Sequence, residues 1–106
     1  MEIRLLYLEG CPNAEPAYQQ LKECLDQENV NESIVRTQIS DEAEAARFHF
    51  LGSPSIQIDG EDIESLRQGD SAFFGCRIYD AASNQPGVPS REMMIAAIHH
   101  ARTHSQ

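Results

Sequence analysis

The chain has 106 residues, 41% of them hydrophobic and 24% charged, which suits one soluble domain with a single core. Asp and Glu total 17 against 8 Lys and Arg, and the net charge of -9 repels phosphate backbones, arguing against a nucleic-acid partner. No apolar run approaches the length of a membrane span, so no membrane partner is expected.

The opening stretch MEIRLLYLEG lacks the basic flank, apolar core and small-residue cleavage site of a secretory signal. A cytoplasmic location is therefore expected. The three cysteines, Cys11, Cys24 and Cys76, are too few for a disulfide framework, and no Cys-x-x-Cys pair is present.

Glu2 to Leu8 is almost continuously apolar, which predicts a strand buried on both faces. From Ala14 to about Glu28 the period becomes helical. Ala17, Leu21, Cys24 and Leu25, with Tyr18 beside them, form an apolar stripe opposite Gln19, Gln20, Lys22, Glu23 and Asp26. Asn29 to Asn31 reads as a turn. The β-branched alternation of ESIVRTQIS then predicts a second strand. A short helix follows in SDEAEAARFHF, with Ser40 as its expected N-cap.

PSIQID predicts a third strand, closed by the turn signal Asp59-Gly60. Residues 61 to 73 read as a loop or short helical insertion. FFGCRIYD, Phe73 to Asp80, is the expected fourth strand. AASNQPGVPS is a loop, and Ser90 caps a last helix carrying Met94, Ala97, Ile98 and Ala101 at helical spacing. The order is β-α-β-α-β-β-α, an α/β class. The first helix should be a right-handed crossover between parallel strands, and the last two strands should form an antiparallel hairpin.

This order resembles the thioredoxin-like fold, carried by EGCPN at the first strand-helix junction and FLGSPSIQIDG at the second helix-strand junction. The chain is similar in particular to a bacterial family of small thioredoxin-like proteins that share GCPN, FLGSPSIQIDG, a CRIY-like strand and a glycine-proline loop before the last helix. Some members carry selenocysteine at the position of Cys11, and some bear an alkylmercury-lyase label.

The resemblance implies a four-stranded mixed sheet and a cis Pro54 facing a reactive Cys11. It also implies that the backbone before that proline is free to pair with a bound peptide or thiol. The chain departs from the dithiol pattern at Ala14, which stands where thioredoxins carry the second cysteine.

Cys11 is the first candidate. As the residue leading into the first helix, with Pro12 at the first helical position, it would lie beside free N–H groups and the positive end of the dipole. That setting favours the thiolate, lowering the pKa below the usual value of about 8.5. The alternative is a packing cysteine at a strand end. Ser53 could offer a hydroxyl near the sulfur or simply bond its own backbone. Tyr7 and Glu9 flank the site. Cys24 belongs to the core stripe, where free cysteine behaves as a small hydrophobe.

Cys76, on the expected hairpin, should fall on the order of 10 Å short of the Cys11 end at strand spacing, so an external thiol is the expected partner of Cys11. Its roles range from resolving or metal-sharing thiol to edge packing. His100 and His104, at i and i+4, are expected to complement a helix C-terminus rather than bind metal. His49 reads as packing, Met93 and Met94 as helix face, and Glu61, Asp62 and Glu64 as a solvated loop. No residue set calls for a cofactor.

The first functional expectation is a thiol oxidoreductase in which Cys11 attacks a peroxide, disulfide or mixed thiol, with small-molecule or protein thiols and disulfides as partners. The others are soft-metal or organomercury handling by Cys11 with Cys76, and a non-catalytic binding module.

Overall fold

A computed structural model describes residues 1–104. Strand β1 (Ile3–Tyr7) runs into helix α1 (Ala14–Gln27), which crosses over to β2 (Ile34–Gln38). Helix α2 (Glu42–Arg47) leads to β3 (Ser55–Ile58) and β4 (Glu61–Asp62). A single 3-10 turn at Ser65–Arg67, an irregular stretch and helix α3 (Arg91–His104) complete the described chain.

The sheet has four strands in the order β2-β1-β3-β4. β1 is parallel to β2, from Ile3 opposite Ile34 to Tyr7 opposite Gln38. It is antiparallel to β3, from Ile3 opposite Ile58 to Leu6 opposite Ser55. Alternation along β1 explains its nearly unbroken apolar character. Ile3 and Leu5 face a core built from α1, α3 and β3, with Leu21, Cys24, Ile56, Met94 and Ile98 among its members. Leu6 points to the other face, where Ile39, Ala45 and Phe50 cover it. Helices therefore lie on both faces of a mixed sheet, as expected.

The Asp59-Gly60 turn does what its residues allow. Both have positive φ, 53° and 84°, the mirror-image turn whose twist suits a two-residue hairpin. The hairpin it makes differs from the expected one. Its second strand is Glu61–Asp62, paired with Ile58 and Gln57, in the segment read from sequence as loop.

Residues 73–80 form no strand. They return as an irregular strap with one parallel bridge, Cys76 to Ser53. The reason is that β4 already occupies the edge of β3, which leaves FFGCRIYD only the residues ahead of that strand. Two helix caps repay attention to side chains. Asp41, rather than Ser40, caps α2, its Oδ1 accepting from Glu44 N at 2.8 Å. Ser90 Oγ accepts from Met93 N at 3.1 Å and caps α3 as expected.

Candidate functional site: two thiols at one end of the sheet

β1 ends in a tight turn. Cys11 N–H donates to Leu8 O at 3.1 Å, and Gly10 at φ 77° supplies the left-handed position that the turn requires. Ala14 N–H then donates to Cys11 O at 3.3 Å. The N-cap of α1 is Asn13, so Cys11 and Pro12 precede the helix instead of occupying its cap and first position. Cys11 is half-buried and Pro12 exposed.

Cys11 lines a cleft of about 180 Å³ with Leu5, Tyr7, Leu8, Glu15 and Arg36 among its walls. The Arg36 guanidinium stacks over the Tyr18 ring, 3.4 Å from its centroid, and pairs with Glu15 at 3.4 Å. A fixed cation thus stands in the same cleft as the thiol.

The other half of the site is built by the approach to β3. The Ser53-Pro54 peptide is cis, and both residues are buried. Ser53 Oγ accepts from Leu8 N at 2.9 Å, joining the residue before the strand to the turn that carries Cys11. The backbone of Ser53 is not open to a partner. Its N–H donates to Gly75 O at 2.8 Å, and its carbonyl accepts from Arg77 N at 3.0 Å. The chain's own strap occupies the edge that the family resemblance implies for a bound peptide.

That strap is held firmly. Phe73 N donates to Phe50 O at 2.8 Å, and the Tyr79 hydroxyl donates to Pro54 O at 2.6 Å. Gly52, at φ 110°, permits the approach, since a Cβ there would stand 2.8 Å from Arg77 Cβ. Arg77 is 3% exposed and grips Asp62 with both terminal nitrogens, at 2.8 and 2.7 Å. It also donates to Glu64 and to Ser55 Oγ, each at 3.0 Å. Its Nε is buried with no hydrogen-bond partner among the described residues.

Burial alone would lower the pKa of Arg77, but its hydrogen bonds to Asp62 and Glu64 outweigh that, and the net effect is upward. Burial pushes the Tyr79 hydroxyl well above the usual phenol range, with the Arg77 charge offsetting only part. Asp62, read as solvated loop, is 4% exposed and belongs to this network.

Cys76 is exposed. Its bridge to Ser53 places it at the Cys11 end of the sheet, which corrects the expectation drawn from a hairpin strand over 73–80. Phe73, Phe74 and Ile78 around it are also exposed. Cys24 is fully buried in the stripe of α1, and burial raises its thiol pKa. His49 is half-buried, a ring nitrogen 2.7 Å from Gln68 O. His100 Nε2 stands 3.8 Å from Glu61 Oε2, and the side chain of His104 lies outside the described residues.

Sequence pattern assigns no role to Arg77 or Tyr79 and reads Asp62 as solvated, so this network is legible only in the fold. The available signal was slight: an arginine and a tyrosine at alternate positions inside an apolar run. Compared with family models, curated proteins and solved structures, the chain matches none of them.

Proposed function

We propose that the protein is a thiol-based oxidoreductase of thioredoxin-like build in which Cys11 is the nucleophile. The observation that carries this reading is the junction at Leu8. A backbone hydrogen bond links Leu8 O to Cys11 N, and Leu8 N donates to the side-chain hydroxyl of Ser53, the residue before the cis proline. The strand order β2-β1-β3-β4, with an antiparallel β3, supports the thioredoxin-like comparison.

With a hydroperoxide, the Cys11 thiolate attacks one oxygen, the O–O bond breaks, and the other oxygen leaves as an alcohol after taking a proton. Cys11 becomes a sulfenic acid. A thiol then condenses with it, releasing water and leaving a mixed disulfide. A second thiol cleaves that disulfide and restores Cys11. With a disulfide substrate, only the exchange steps operate. Arg36, paired with Glu15, lines the cleft where the sulfur reacts.

The test is mild hydrogen peroxide in the presence of dimedone, followed by peptide mass analysis, beside a Cys11→Ser control. Label is expected on Cys11 and not on Cys24. A Cys11 that stays unmodified by peroxide and by glutathione disulfide, while exposed Cys76 reacts, would overturn the assignment and leave a non-catalytic binding module.

A further inference from the structure

Resting on that reading of Cys11, we infer that Cys76 is the internal thiol that resolves oxidised Cys11, presented by the pairing of residues 75–77 with Ser53. Three backbone segments are joined by hydrogen bonds at one end of the sheet. Cys11 N bonds Leu8 O, Leu8 N bonds Ser53 Oγ, and Ser53 bonds Gly75 and Arg77 through its own N–H and carbonyl. The parallel bridge sets Cys76 opposite Ser53, beside the cis proline.

The strap has no regular secondary structure, yet it is fastened on both sides of Cys76. Phe73 bonds the Phe50 carbonyl, Arg77 is sunk into Asp62, Glu64 and Ser55, and Tyr79 bonds the Pro54 carbonyl. This much anchoring holds an exposed thiol in one place. Cys24 cannot serve, because it is fully buried within α1.

The filled edge at Ser53 also selects the substrate. A peptide could add a strand there only by displacing residues 75–77, whereas a small hydroperoxide needs only the thiol. Neighbouring strands lie about 4.8 Å apart, so Cys76 is one spacing beyond Ser53. Bridging then asks for movement of the Cys11 turn, irregular backbone between β1 and α1, towards the anchored strap, and not of the sheet.

The reaction balances as two steps. The hydroperoxide oxidises Cys11 to the sulfenic acid and leaves as an alcohol. The Cys76 sulfur then attacks the Cys11 sulfur, a disulfide bond forms, and the sulfenic hydroxyl leaves with the Cys76 proton as water. Two thiols are oxidised and one hydroperoxide is reduced. External thiols later return both cysteines to the reduced state.

Treatment with one equivalent of hydrogen peroxide, blocking of free thiols and peptide mapping tests the inference. The wild-type monomer is expected to carry a Cys11–Cys76 disulfide. Cys76→Ser, an exposed substitution, should lose that bridge and show several-fold more dimedone label on Cys11. Equal Cys11 labelling in both proteins with no bridge would overturn the inference while leaving Cys11 as nucleophile, and so would Cys76 found only in disulfides between chains. No Cys11 label and no bridge in either protein would remove the nucleophile itself.

Discussion

Arg77 is a charge taken out of water whose terminal nitrogens donate two hydrogen bonds to Asp62 and one each to Ser55 and Glu64. Removing one member of such a pair strands the other. Arg77→Met should leave the buried Asp62 carboxylate with no counter-charge and only the Glu64 N–H to answer it, costing about 3–5 kcal/mol in urea unfolding. The double variant with Asp62→Asn should recover part of that loss. A single variant as stable as the wild type would show that the pair carries no such penalty.

Tyr79 tells the same story through pH. Its pKa is raised in the folded chain by burial, so the folded state holds the proton after an unfolded tyrosine has lost it. The stability that this gives is fully present below the ordinary pKa of about 10, and it is lost as pH rises above that value towards the folded one. Tyr79→Phe should flatten that alkaline decline in thermal unfolding followed across pH. An unchanged slope would assign it to other groups.

Elements with a long one-sided pattern were legible. The stripe from Ala17 to Leu25 located α1, and its four apolar positions are all buried. The Asp59-Gly60 turn was equally plain, because few residues accept positive φ. β4 was not legible, since two residues carry no period. The strap misled in the other direction. FFGCRIYD has strand propensity, but propensity does not say which edge is vacant, and β4 had taken the edge of β3.

Among the site residues, Cys11 could be named from its place between strand and helix together with the family resemblance, and Ser53 and Pro54 from the resemblance that the GSP entry carries. The Arg77–Asp62 pair could not, because it depends on that long-range choice of edge. Gly52 is where the two meet. Gly52→Ala would put a methyl against Arg77 at a φ that disfavours side chains, and should cost more than about 1 kcal/mol by denaturant unfolding. A variant as stable as wild type would mean that the strap shifts at no cost.

On the scale of the whole molecule, the sheet divides the core into two clusters, one under α1 and α3 and a smaller one under α2. No helix among the described residues is long and apolar enough to cross a membrane. Against the net charge of -9, the Cys11 cleft is locally balanced, its guanidinium paired with Glu15.

The manner in which the strap is fastened also sets an order of assembly. Its hydrogen-bond partners at Phe50, Ser53 and Pro54, and its ionic partner Asp62, lie on the approach to β3 or on β4. These contacts are local, but bringing Cys76 beside Cys11 also needs β3 to pair with β1, a contact between segments far apart in the chain and therefore slow to nucleate. Cys76 reaches the Cys11 end only in a chain whose β1 and β3 have paired.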